Sequence, residues 1–164
     1  MSTPAGQSLS ITAGNRITLV AIKGPEAAVS FTNLTFVVVT SDSTATNFYS
    51  VGVYGPCAPG TASCSLVCQT PASQALTTTG GKDLACGSGT NTLNPASSGQ
   101  YYYLATTGMA TTATMYSSDI GIQPVCSNNA ATSTGGALPS TITIPAASWG
   151  LCNSPNGPVV TLHD

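Results

Sequence analysis

Apolar and polar side chains alternate over short stretches along most of this chain, and clusters of Gly, Pro, Asn and Ser separate the stretches. A period of two is that of a strand with one face in a core. Residues 8–13 and 16–22 read as two such strands. The Gly24-Pro25 turn is followed by a long β run over 29–40, in which Phe31, Leu34, Phe36 and Val38 face a core. Its end, Phe36-Val37-Val38-Val39, is apolar on both faces, the pattern of a covered central strand. Residues 48–54 predict the next strand, with Phe48, Ser50, Gly52 and Tyr54 on one face and Tyr49, Val51 and Val53 on the other. Further strands are expected at 65–69, 74–78, 101–106, 111–117, 120–125, 141–144 and 158–162, with Gly108 turning 101–106 into a hairpin with 111–117. Good helix formers are scarce while Thr, Ser, Gly and Val abound. The expected fold is all-β: an antiparallel, jelly-roll-like β-sandwich of about eight to ten strands.

Composition changes the picture in one respect. Only 5% of the 164 residues are Asp, Glu, Lys or Arg, against about 25% in an average soluble domain. Thr, Ser, Asn and Gln must therefore supply the polar surface. Three basic residues, Arg16, Lys23 and Lys82, are too few to neutralise a phosphate backbone, which excludes nucleic acid as a partner. A net charge of −2 argues against an anionic membrane surface, and no apolar run is long enough for a spanning helix.

Six cysteines, Cys57, Cys64, Cys68, Cys86, Cys126 and Cys152, imply three disulfides and an oxidising destination. Six reduced, buried thiols are the alternative. Cys64 and Cys68 have finger-like spacing for zinc, but no second close pair follows and His163 is the only histidine, so no metal is expected. Proximity in sequence suggests the pairs Cys57–Cys64, Cys68–Cys86 and Cys126–Cys152. Four of the six fall within residues 55–91, a stretch with few large apolar side chains. Burial gains little there, so cross-links supply order. Two parts are expected: N-terminal strands or an assembly arm over 1–27, and the sandwich over 28–164 with a Cys-rich insertion at 55–91. The first residues lack a basic segment and an apolar segment of a secretory leader. Together with the cysteines, this points to a virion surface or extracellular location reached by lysis of a host.

Catalytic chemistry has little to draw on. His163, next to last in the chain, is the one side chain able to act as a base near neutral pH, and no Gly-x-Ser-x-Gly elbow accompanies it. Asp42, Asp83 and Asp119 fall in expected loops, where Asp is a turn former. No enzyme activity and no cofactor are expected. Tyr101-Tyr102-Tyr103 stands out: in a strand Tyr101 and Tyr103 share a face and Tyr102 takes the other. Tyrosine suits stacking on sugars or closing an interface, and equally suits filling a core with its hydroxyl on a backbone partner. Trp149, the only tryptophan, either packs on a disulfide near Cys152 or stands exposed as an anchor. Tyr101, Tyr103 and Trp149 are therefore the candidates for contact with a glycan or a partner.

The segments Phe48-Tyr-Ser-Val-Gly-Val-Tyr-Gly, Leu93-Asn-Pro-Ala-Ser-Ser-Gly-Gln-Tyr-Tyr-Tyr-Leu-Ala and Thr112-Ala-Thr-Met-Tyr resemble a β-sandwich domain of tailed-bacteriophage virion and tail-fibre proteins. Gly136-Ala-Leu-Pro-Ser-Thr-Ile and Pro158-Val-Val-Thr-Leu extend the likeness over roughly residues 28–164. The six cysteines and an extra Ala-Ser-Ser before Gly99 depart from that pattern. The resemblance implies a non-enzymatic virion structural protein exposed on the particle surface, as a decoration, tail-fibre or receptor-binding module. It also implies a homo-oligomer, a trimer above all, with other virion proteins and host-surface glycan as partners. It carries over no catalytic residue. The competing expectation is a cellular extracellular carbohydrate-binding or adhesin module. A hydrolase is a third, and it lacks the acids and histidines such chemistry needs. A sandwich with so few charges has little to guard its edges, which itself favours homo-oligomerisation.

Overall fold

A computed structural model describes residues 7–10, 17–108, 112–118, 125–127, 136–146 and 157–164. Among them there is no helix. Six strands form one antiparallel sheet: β1 (Gln7–Ser10), β4 (Asn33–Thr40), β8 (Gly80–Ala85), β11 (Thr114–Ser118), β14 (Gly157–Pro158) and β15 (Val160–His163). Seven form a second: β2 (Ile17–Ile22), β5 (Phe48–Cys57), β6 (Cys64–Gln69), β7 (Gln74–Ala75), β10 (Tyr101–Gly108), β12 (Val125–Ser127) and β13 (Thr141–Ile142). β3 (Val29–Phe31) and β9 (Asn91–Leu93) make a separate two-stranded ribbon. The protein is an all-β, disulfide-stapled sandwich.

The strand alternation of the sequence explains the layering. In β10, Tyr102 and Leu104 point into one apolar cluster while Tyr103 and Ala105 point into another. β5 divides in the same way: Tyr49, Val51 and Val53 enter the first cluster and Tyr54 the second, the facing expected from the sequence. The first cluster lies between the two sheets, where Leu34, Phe36 and Val38 of β4 and Met115 of β11 meet it. The second lies on the opposite face of the seven-stranded sheet and is closed by Leu138, Ile142 and Ile144. Strands β2, β5 and β10 of the seven-stranded sheet are thus buried on both faces. At roughly 1.5–3 kcal/mol per fully buried large apolar side chain, these two clusters dominate the favourable side of folding.

Several expectations need correction. Residues 17–22 are not an assembly arm, because β2 pairs along its whole length with β10 and also with β12, and Ile17, Leu19 and Val20 are at most 1% exposed. The chain does not form a hairpin from β10 to β11. β10 already has β2 on one edge and β5 on the other, so the chain crosses and β11 pairs with β1 and β4 in the opposite sheet. The run over 29–40 divides at Thr32, whose carbonyl accepts from the Cys86 N–H (2.7 Å) and whose N–H donates to the His163 carbonyl (3.0 Å). β4 is central, with β8 along one edge and β11 and β15 sharing the other, but its outer face is open: Val37 and Val39 are 43% and 42% exposed. Splitting of this kind gives fifteen short strands among the described residues.

The stretch 55–91 is not an insertion hanging from the sandwich. It supplies β6 to one sheet and β8 to the other. Cys57–Cys64 and Cys68–Cys86 are disulfides, with Cα atoms 5.9 and 5.4 Å apart, in the pairing that sequence proximity suggested. Cys57–Cys64 clips the end of β5 to the start of β6. Cys68–Cys86 joins β6 to the residue after β8, so it bridges the two sheets, and both cysteines lie in the core between them. The Gly87 N–H donating to the Gln69 carbonyl (2.9 Å) closes the same crossing. Cys126 falls in β12, and Cys152 lies outside the described residues, so the third expected pair does too. Cys64 and Cys68 belong to different disulfides and are not a zinc half-site.

Replacing both Cys68 and Cys86 by Ala removes a cross-link of sequence separation 18. The expected loss is about 3 kcal/mol on the chain-entropy account, read by denaturant unfolding under oxidising conditions. Unchanged stability would show that the inter-sheet bridge contributes nothing to it.

Candidate functional site

The concave surface that gathers chemistry is at one end of the sandwich. The connection after β2 and the loop between β9 and β10 form a cleft of about 510 Å³, lined by Lys23, Glu26, Pro95, Ser97, Gln100 and Tyr101 among others. Its walls are fixed from beneath. The Tyr102 hydroxyl accepts from the Asn94 N–H (2.9 Å) and donates to the Asn94 carbonyl (3.0 Å). Tyr102 itself is 1% exposed in the inter-sheet core, so the loop start is anchored to the core. Ala96 packs on that core, and a Cβ at Gly24 would sit 2.8 Å from the Ala96 Cβ, so only glycine lets the two walls meet. The Gln100 N–H donates to the Ser97 carbonyl (3.0 Å), closing the turn in which Gly99 takes a φ of 79°. Gln100 also lines a neighbouring hollow of about 360 Å³ with Cys57, Thr61, Ser63 and Ser65, which extends the cleft along the Cys57–Cys64 clip.

The three aromatic candidates separate. Tyr103 is fully buried in the second core cluster, where its hydroxyl donates to the Cys57 carbonyl (3.3 Å) and burial pushes its pKa up to about 12. It is a core residue and offers no surface contact, because β10 is covered on that face. Tyr101 is half-buried, with its ring against the same cluster and its remaining surface in the cleft. Trp149 lies outside the described residues, as do Arg16 and Asp119.

The acidic residues also divide. Asp42 is 1% exposed. Burial alone would raise its pKa, but hydrogen bonds from the Tyr49 hydroxyl, the Thr44 N–H (2.8 Å), Asn47 Nδ2 (2.8 Å) and Thr112 outweigh that and hold it well below the usual carboxylate range. The Asp42 N–H donates to the Leu76 carbonyl (2.9 Å). Asp42 is therefore the organiser of the loop between β4 and β5. Burial first and then the Asp42 carboxylate push Tyr49 up to about 12.

His163 is not frayed. It is held in β15, paired with Asn33, and its Nε2 lies 2.8 Å from Thr35 Oγ1 and 3.1 Å from Asp83 Oδ1. A hydroxyl, an imidazole and a carboxylate meet here, but in the wrong order for nucleophilic catalysis. A relay uses one ring nitrogen for the hydroxyl and the other for the acid. Here Nε2 faces both, and Nδ1 is 2.8 Å from the Asp164 carbonyl. The group clasps β15 to β4 and β8. His163 is shifted upward, first by the Asp164 backbone and further by Asp83, while Asp83 is shifted downward, first by Asn33 and then by His163. Among the described residues no group of three or more His, Cys, Asp or Glu side chains could hold a metal.

The lone tyrosine triplet signalled the cleft only in part. Its other wall, at 23–26, carries no motif, and nothing in the sequence says that it meets 94–101. The chain matches no protein family, no curated protein and no solved structure.

Three measurements check these assignments. Tyr49→Phe removes one donor from a buried carboxylate and is expected to cost about 1–3 kcal/mol. Because the folded Asp42 pKa is depressed, its contribution is complete above the unfolded value near 3.8 and is lost as pH falls below it. The acid-unfolding curve of Asp42→Asn should therefore be flatter below pH ~4 than that of the native chain. An equally steep curve would refute the loop-organiser role. By NMR titration, Asp83→Asn should lower the His163 pKa, and an unmoved titration would show that the two do not interact.

Proposed function

We propose that this protein is a non-enzymatic structural protein displayed on a virion surface, as a decoration, tail-fibre or receptor-binding module. The observation that carries the reading is how the molecule spends its apolar surface. Val37 and Val39 on β4, Tyr116 on β11 and the adjoining Val159 are exposed on the outer face of the six-stranded sheet. Val159 donates its N–H to the Tyr116 carbonyl (3.2 Å), which brings the two together. Among the described residues β8 leaves its outer edge unpaired. A face and an edge of this kind support assembly into a homo-oligomer, a trimer by the likeness noted in the sequence, and packing against other particle proteins. The disulfides Cys57–Cys64 and Cys68–Cys86 are consistent with an extracellular or secreted protein, and among the described residues no helix is long and apolar enough to cross a membrane.

Catalysis plays no part in this reading, since the one histidine serves as a strand clasp. A cellular extracellular adhesin or carbohydrate-binding module is the second reading, favoured by polar side chains of the end cleft that make no side-chain hydrogen bond or ion pair among the described residues.

Mass spectrometry of purified particles from the source should find the chain, and its absence from them would sink the virion reading. In solution, light scattering should report a homo-oligomer, and Val37→Lys combined with Val39→Lys should shift it to monomer. A native monomer at micromolar concentration would remove the assembly argument.

A further inference from the structure

Beneath the end cleft the buried Tyr102 hydroxyl is committed to Asn94, and in the neighbouring hollow the Thr61 hydroxyl is committed to the Ala58 carbonyl (2.7 Å). Within the cleft, Lys23, Glu26, Ser97, Ser98, Gln100 and Tyr101 make no side-chain hydrogen bond or ion pair among the described residues. Two of the chain's few charged residues thus face one hollow without pairing. The backbone around them is held rigidly by Tyr102, Ala96 and Gly24. A ligand therefore meets preformed concave walls and has only the lining side chains left to order.

The lining selects among ligand classes. It contains no Leu, Ile, Val, Phe, Met or Trp, so there is no pocket for a greasy ligand or an apolar peptide anchor. Its walls are loops, residues 23–26 and 95–100, so no strand edge is on offer to an extended peptide. One Lys is too little for a phosphate chain. What remains is a half-exposed aromatic ring beside hydroxyls, a carboxamide, an ammonium and a carboxylate. That set matches a polyol: apolar C–H faces lie on the ring, and each hydroxyl both donates and accepts.

We infer that this cleft binds an uncharged saccharide, with Tyr101 as the stacking platform and Gln100, Lys23 and Glu26 as hydrogen-bonding partners. The neighbouring hollow, joined through Gln100 and bordered by Ser63 and Ser65, extends the site to a further sugar unit. The inference rests on the surface-exposed reading above only in that the cleft must meet host or cell glycans.

The test is an array of neutral and acidic glycans probed with the full chain, followed by NMR titration with lactose, maltose, mannobiose and chitobiose. Saturable shifts confined to residues 23–26 and 95–101 are expected for at least one neutral sugar. Tyr101→Ala should weaken binding at least tenfold. Because the Tyr101 ring also touches the core, Gln100→Ala provides a second variant at a side chain outside both apolar clusters, and several-fold weakening is expected there. A blank neutral array, binding of acidic glycans only, or binding untouched by both variants would overturn the inference. Finding the chain on particles while the array stays blank would defeat this site and leave the structural role standing; the reverse result would do the opposite.

Discussion

Burial of three central strands, β2, β5 and β10, on both faces is the constraint on which the rest of this protein depends. A strand exposes alternate side chains to opposite sides. β10 uses both sides for burial, with Tyr102 and Leu104 toward the six-stranded sheet and Tyr103 and Ala105 toward residues 138–144. Its two edges are taken by β2 and β5. Two other placements follow from that saturation. The N-terminal residues 17–22 must enter the core because β10 needs a neighbour on its free edge. The chain beyond Gly108 must leave for the other sheet because no edge is left for it.

The inter-sheet disulfide acts where apolar burial is thinnest. β8 reads Gly-Gly-Lys-Asp-Leu-Ala and contributes only Leu84 to the core. A strand that poor in apolar mass would hold its place weakly by packing alone. Cys68–Cys86 fixes its end to the opposite sheet, and Asn91 caps the Cys86 carbonyl. Tyr102 performs the matching task at the end cleft, converting burial of its ring into a fixed conformation of the loop after β9. In both places the core positions a surface loop through one covalent or hydrogen-bonded contact.

Much of this was legible in the sequence, for physical reasons that can be named. The facing of residues 48–54 followed from simple alternation, and the two disulfides from the short loops they close. β8 was missed because two glycines, a lysine and an aspartate carry no strand signal; its place is set by its partner β4 in a six-residue register. Tyr101 and Tyr103 looked equivalent because alternation puts them on one face. The register shift between them in the pairing with β5, and the cover over Tyr103, make one a cleft residue and the other core. The cleft itself joins residues about seventy positions apart, 23–26 and 95–101, and no local pattern encodes such a meeting.

The clasp between His163 and Asp83 is the only ion pair among the described residues, and it sits at the surface. Surface pairs contribute little and are screened by salt. The order of this fold therefore rests on burial, hydrogen bonds and sulfur bridges, with the buried Asp42 carboxylate shielded from solvent, and little of it is exposed charge pairing that added ions could screen. In dilute water and in brine the same burial and cross-links hold the fold, and a salt excluded from protein surfaces strengthens that burial; a fold held by surface charge networks would lose part of its stability to screening.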